Sequence, residues 1–178
     1  MRGIGQLGMR VLGGWQINGQ LPEVPKAIIV IAPHTSNWDF FVGLFVMFKL
    51  RLRLSFLGKD SLFVFPVNRL LRWVGGIPIK RNSSAGSVGQ MVEAFQRHKE
   101  LVLVITPEGT RKKVKKWKTG FLHMAKEAKV PVIPVAMDYA RRCVDILPAL
   151  TIEGEVDEEL KRVQSCVFHA QGKNPENT

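Results

Sequence analysis

His34 and Asp39 stand five residues apart in Ala32-Pro33-His34-Thr35-Ser36-Asn37-Trp38-Asp39-Phe40, directly after an aliphatic run. An imidazole oriented by a carboxylate can act as a general base. The aspartate holds one ring nitrogen and stabilises the imidazolium, while the other nitrogen takes a proton from a substrate hydroxyl. On one helix, residues i and i+5 are turned about 140° apart. The two side chains therefore converge only if His34 lies on a loop and Asp39 in the first turn of the helix that follows. Ser36 and Asp39 have the spacing of a capping box, Ser36 at the N-cap and Asp39 at N3, which supplies that geometry. Capping alone would explain the pattern without any chemistry, so the pair gains meaning from what accompanies it.

Two further groups could bind an anion. Thr106-Pro107-Glu108-Gly109-Thr110-Arg111 follows the apolar run Leu101-Val102-Leu103-Val104-Ile105. Ligands of open α/β sheets gather at the C-terminal ends of strands, Gly109 allows close backbone approach, and a guanidinium holds phosphate by paired hydrogen bonds. Gly75-Gly76-Ile77-Pro78-Ile79-Lys80-Arg81 ends a second apolar stretch on two cations. Other chemistries lack support. Ala85-Gly86-Ser87-Val88-Gly89 misses the first glycine of a nucleophile elbow, so Ser87 reads as a helix cap. There is no H-E-x-x-H, C-x-x-C or P-loop pattern. His98, His123 and His169 stand alone, as surface or packing residues.

The elements that must position these groups are predicted from periodicity. Ala27–Ala32 and Leu101–Thr106 are continuous apolar runs suited to strands buried on both faces. Arg51–Leu57 alternates basic and apolar residues, as a half-buried strand does, and Ile77–Arg81 is a short strand. Val130–Met137 is a strand carrying two prolines. Helices are expected from the Ser36 cap to about Lys49, over Ser61–Val74 with Pro66 interrupting it, from Ser87 to about His98, over Thr119–Lys129, and from Asp157 to about Ala170. Strands alternating with helices predict a single α/β domain over residues 1–178, with a central mixed, largely parallel sheet flanked by helices. His34 and Glu108 are expected at one sheet end, and the residues after Gly172 are expected to fray.

Composition narrows the partners. With 178 residues, 46% hydrophobic and 23% charged, the chain is long enough for one globular core. Cys143 and Cys166 are too few for a disulfide scaffold and are expected to be reduced thiols in a cytosolic compartment. Six glycines among the first twenty residues leave no apolar run for a cleavable signal. The longest uncharged apolar run, Phe40–Phe48, has nine residues where a bilayer span needs about 20. It reads as a buried helix or one that dips a face into a membrane surface. The net charge of +11 calls for an anionic partner, and six of the eight positions 111–118 are basic, with Trp117 among them. A basic nucleic-acid-binding protein would also use such a run, with Trp117 stacking on bases, but no nucleic-acid-binding module is present.

Taken in order, these blocks resemble the glycerolipid acyltransferase family, the lysophospholipid acyltransferases that include 1-acylglycerol-3-phosphate acyltransferases. The family's H-x4-D motif matches His34 and Asp39. Its glycine-to-arginine block matches Gly76 to Arg81 in outline, its P-E-G-T-R block matches Pro107 to Arg111, and its V-P-[IV]-[IV]-P block matches Val130 to Pro134. The resemblance spans about residues 26–140. It departs at Thr106, where relatives often carry an aromatic residue, and at the N-terminus, which offers only a short glycine-rich segment.

The resemblance implies a glycerol-3-phosphate acyltransferase-like fold and acyl transfer from a thioester of coenzyme A or acyl carrier protein to a lysophospholipid hydroxyl, without a covalent acyl-enzyme. It implies His34 as general base and Asp39 as its orienter. Arg81, Glu108, Gly109, Thr110 and Arg111 would bind the acceptor's phosphate and glycerol end. No metal or tightly bound cofactor is implied, the acyl-CoA or acyl-ACP being a co-substrate. Lipid substrates and the basic loop together predict a peripheral protein on the cytoplasmic face of an anionic membrane. Trp117, Trp15 or the Phe40–Phe48 helix would supply apolar contact.

Overall fold

The computed structural model of the chain describes residues 2–79 and 86–177. Among these, seven strands form one sheet: β1 (Gln16–Asn18), β2 (Lys26–Ala32), β3 (Leu54–Lys59), β4 (Gly76–Ile79), β5 (Leu101–Ile105), β6 (Val132–Asp138) and β7 (Cys143–Ile146). The order across the sheet is β1-β7-β6-β2-β5-β3-β4. All neighbours run parallel except β6 and β7, so the sheet is mixed and largely parallel, as predicted. Six α-helices accompany it: α1 (Arg2–Val11), α2 (Trp38–Leu50), α3 (Val67–Trp73), α4 (Gly86–Arg97), α5 (Gly120–Ala128) and α6 (Val156–Val167).

The period of two along β2 divides the core. Ile28 and Val30 face a layer containing Met91 and Phe95 of α4, Phe121 and Leu122 of α5 and Val163 of α6. Ala27 and Ile29 face Met9 of α1 and Val42 and Val46 of α2. Both faces of β2 and β6 are thus covered, which is why their sequences read as unbroken apolar runs. Each of the larger buried side chains here (Ile, Val, Leu, Met or Phe) contributes about 1.5–3 kcal/mol. This packing anchors the C-terminal end of β2, from which His34 emerges.

The structure departs from the sequence reading in several places. The segment before β3 is shorter as a strand because Arg51 closes α2 in the left-handed region, at φ 56°. The helix expected over 61–74 is split into a 3-10 turn at Asp60–Leu62 and α3, with Pro66 in the cap position between them. Proline lacks the N–H that a continuous helix would need there. Helix α1, strand β1 and strand β7 were not expected at all. Three glycines argue against a helix at Arg2–Val11 by propensity, at about 1 kcal/mol each, but two of them enable its packing. A Cβ at Gly5 would lie 2.3 Å from the Lys49 backbone nitrogen, and one at Gly8 would lie 2.2 Å from the Phe45 ring. Helix α1 therefore lies against α2 at backbone distance. Trp15, expected as a membrane contact, is 5% exposed and packs edge-on to Tyr139 at 4.7 Å. The tail beyond Gly172 is tied down: Asn174 donates from its backbone N–H to Thr35 Oγ1 and from Nδ2 to Thr35 O.

Candidate active site

The peptide leaving β2 turns so that Asp39, at the start of α2, faces back into the loop carrying His34. Asp39 Oδ2 accepts hydrogen bonds from His34 Nδ1 at 2.9 Å and from the backbone N–H groups of Thr35 and Ser36 at 3.0 Å each. Its Oδ1 accepts from the Tyr139 hydroxyl at 2.7 Å. The Ser36 N–H bond is the carboxylate half of the expected capping box. The other half differs: Ser36 Oγ accepts from Trp38 N, and Asn37 occupies the cap position one residue later than predicted. Asp39 is needed by three donors within its own loop, which pulls the helix start toward it.

Asp39 is 5% exposed. Burial by itself would raise its carboxyl, but hydrogen bonds from His34, Tyr139 and Ser36 outweigh that and hold it below the usual carboxylate range. An ionised carboxylate only accepts hydrogen bonds, so Nδ1 of His34 is the donor. The neutral imidazole then carries its lone pair on Nε2, the nitrogen directed away from Asp39. This arrangement can accept a proton from a hydroxyl held beside it.

The second loop, residues 106–119, lies against the first. A tight turn is closed by Gly109 N–H to Thr106 O at 3.1 Å, and Lys118 N–H to Pro107 O at 2.8 Å pins its base. Gly109 has φ +66°, which disfavours any residue with a side chain. The turn projects Glu108 back toward β2, where its two oxygens accept the His34 backbone N–H at 3.2 and 2.9 Å. Arg111 Nη1 donates to Asn37 Oδ1, between the two residues of the His–Asp pair. Thr110 Oγ1 takes the Lys112 N–H at 3.4 Å. His34, Asp39, Glu108, Gly109, Thr110 and Arg111 are thus assembled at the C-terminal ends of β2 and β5. Arg81 lies outside the described residues.

Burial pushes the Glu108 carboxyl from 4.5 up to about 7, although the His34 N–H favours its charged form. Because the folded chain binds this proton more tightly than the unfolded one, the protein loses stability as pH rises from about 4.5 to about 7. Glu108→Gln keeps an oxygen for His34 and carries no proton to lose. Thermal unfolding should therefore show the variant gaining a few degrees on the parent between about pH 5 and pH 8. A constant difference across that range would show that ionised Glu108 is not penalised.

Other features lie apart from this site. The Cys143 thiol is buried, which together with Asp145 pushes it up to about 11 and makes it a poor nucleophile at neutral pH. Trp117, expected at a lipid or base-stacking surface, is half-buried and packs against the core, while Arg111, Lys112, Lys113, Lys115 and Lys116 around it are exposed. A groove of about 1560 Å³ opens at the N-terminal ends of β2, β3 and β5, beside Leu21, Phe48, Leu54 and Leu101. It is at the opposite end of the strands from His34, so the chemistry and not the concavity locates the site.

The chain matches the family model described as Acyltransferase over residues 17–138, which takes in both loops. It belongs to the Acyltransferase family. The 1-acyl-sn-glycerol-3-phosphate acyltransferase of Haemophilus influenzae is 32% identical over 133 residues, covering 70% of this chain and 54% of that protein. The enzyme of the same name from Escherichia coli is 31% identical over 116 residues, covering 61% of this chain and 46% of its own length. The chain spans about half the length of these curated relatives. The crystal structure of the 1-acyl-sn-glycerophosphate acyltransferase PlsC from Thermotoga maritima shares the fold, with a TM-score of 0.66 at 22% identity over 94% of this chain and 76% of that one.

Sequence reasoning missed four members of this candidate site's surroundings: Thr35, Asn37, Tyr139 and Asn174. Tyr139 had a signal, since it is the chain's single tyrosine and directly follows a wholly buried strand at its ligand-facing end. Asn174 had none, because only the folded chain brings it to Thr35.

Proposed function

We propose that the protein moves a fatty acyl group from an acyl thioester, on coenzyme A or acyl carrier protein, to the hydroxyl of a lysophospholipid. 1-Acylglycerol-3-phosphate is the acceptor that best fits, which places the reaction in phospholipid biosynthesis. The observation that carries this reading is the His34–Asp39 pair, with Nδ1 held at 2.9 Å and Nε2 left as the base, beside a turn bearing Arg111.

In this reading Nε2 takes the acceptor's hydroxyl proton as the oxygen attacks the thioester carbonyl. The C–O bond forms, a tetrahedral oxyanion results, and its collapse breaks the C–S bond. The imidazolium returns the proton to the departing thiolate, so the products are the diacyl lipid and a free thiol. Asp39 stabilises the imidazolium throughout. Arg111 can keep Asn37 and still direct other N–H donors of its fork at a phosphate, beside Thr110 and Gly109 of the same turn; the family resemblance adds Arg81 as a further phosphate ligand. Glu108 holds the base's loop from behind. The relatives are named for 1-acyl-sn-glycerol-3-phosphate, which supports this acceptor.

Among the described residues, no helix is long and apolar enough to cross a membrane. The reading places the protein peripherally on an anionic leaflet, at the cytoplasmic face. Ile4, Leu7 and Val11 of α1, which also carries Arg2 and Arg10, are 59–76% exposed, and Phe65, Leu70 and Trp73 are exposed around Arg69 and Arg72 of α3. Together with the exposed lysines of residues 112–116, these supply apolar and cationic contacts in place of the buried Trp15.

The test presents a panel of lysolipid and amino-acid-lipid acceptors in phosphatidylglycerol vesicles with labelled acyl-CoA or acyl-ACP. Labelled product is expected chiefly from 1-acylglycerol-3-phosphate, and protein should sediment with the vesicles when the donor is omitted. Preferential acylation of another acceptor would reassign the substrate, and protein left in the supernatant would remove the membrane from this account.

A further inference from the structure

Tyr139 lies one residue beyond the matched family region, and Asn174 lies 35 positions further on, yet both converge on the His34 loop. Strand β6 runs parallel to β2 with Ala136 opposite Ala32. The chain therefore leaves both strands on the same level, and Tyr139 stands level with the loop that carries the base. Its ring is held edge-on by Trp15, and its hydroxyl donates to Asp39 Oδ1 at 2.7 Å, the oxygen that does not hold His34. Its backbone N–H donates to Gln171 O at 2.9 Å. From Gln171 the C-terminal segment runs to Asn174, which grips Thr35 on both its hydroxyl (3.1 Å) and its carbonyl (2.9 Å). Lys173 places Nζ 4.4 Å from the Trp38 ring centroid on the way. Thr35 is 2% exposed and adjoins His34, so the grip falls on the backbone that aims the imidazole.

We infer that Tyr139 and the C-terminal strap ending at Asn174 are positioning elements for the base, fixing the Asp39 carboxylate and the Thr35 backbone so that His34 is held with its proton on Nδ1. The inference rests on the reading of His34 as general base. Asp39 Oδ2 serves three donors at once, and it can do so only if the carboxylate does not rotate. Tyr139 holds the other oxygen and so blocks that rotation. Asn174 holds the loop that carries all three donors. Without them the Nδ1 bond loosens, the imidazole samples its Nε2–H tautomer, and that tautomer has no lone pair facing the substrate. Burial and the neighbouring Asp39 carboxylate push the Tyr139 phenol well above its usual range, so it remains a donor at every working pH.

The experiment uses the full-length protein with ¹⁵N-labelled histidine and compares the parent with Tyr139→Phe and Asn174→Ala. The His34 nitrogens are assigned by their loss in His34→Ala. Tyr139→Phe keeps the ring against Trp15, so the fold is retained. Both variants should shift the His34 nitrogen signals from the Nδ1–H pattern toward the Nε2–H pattern. Both should also lower kcat roughly ten- to a hundredfold with little change in KM for the acceptor, as expected of a displaced catalytic group. Unchanged nitrogen signals would overturn the inference, whether or not turnover falls, because the two residues would then not act through the imidazole. That outcome is separable from failure of the base assignment, which would show instead as an active His34→Ala enzyme.

Discussion

Replacing His34 with alanine is expected to lower acyl transfer by about 10² to 10⁴ while leaving the protein folded. The side chain is half-buried and, among the described residues, its ring bonds to Asp39. The loop around it is held by other means, since Glu108 bonds the His34 backbone N–H and Asn174 bonds Thr35. Alanine preserves both. On the proposed mechanism the lost rate measures proton transfer to Nε2, and among the described residues of the two loops no other group takes that place. Arg111 is engaged with Asn37, and the Glu108 carboxyl is turned to the backbone of His34. The measurement is single-turnover acyl transfer from a labelled thioester, with thermal unfolding as the control for folding. Turnover near the parent's in a folded variant would falsify the general-base assignment.

Asp39→Asn is expected to cost about 10² to 10³ in turnover, slightly less than loss of the base itself. The amide oxygen can replace Oδ2 toward Thr35 and Ser36, and its NH₂ can face the Tyr139 hydroxyl, which also accepts. The loop is thus kept, whereas Asp39→Ala would strand four donors at about 1–3 kcal/mol each for buried groups. What asparagine removes is the negative charge that stabilises the imidazolium. A second readout is acid stability. The Asp39 carboxyl is held below its ordinary 3.8, so its stabilising contribution is present above that value and is lost as pH falls through the lower folded value. The stability gap between parent and Asp39→Asn should accordingly narrow below about pH 4. A gap that stays constant into acid, or turnover unaffected by the substitution, would show that the carboxylate's charge is not used.

What the sequence determined by itself was whatever depends on neighbours along the chain. The buried strands Lys26–Ala32 and Leu101–Ile105 were legible because both faces of each are covered, so apolar residues run unbroken. The His34–Asp39 contact was legible because it spans five residues and the turn into α2 brings its ends together. The order of the motif blocks likewise pointed to the family to which the chain belongs.

The tertiary structure decided everything that depends on long loop closures. Glu108 meets His34 across 74 residues, Tyr139 meets Asp39 across 100, and Asn174 meets Thr35 across 139. Those distances are set by the parallel register of β2 with β5 and β6 and by the path of the chain after α6, which no local pattern encodes. The same holds for α1. Its glycines oppose a helix by propensity, and only the close packing against α2, where Gly5 and Gly8 leave room for Lys49 and Phe45, reverses that preference. Trp15 and Trp117 looked like surface aromatics because periodicity cannot tell an aromatic that faces lipid from one that completes a core. Trp15 is buried edge-on to Tyr139, and Trp117 lays part of its ring against the main core, contacts that only the folded chain provides.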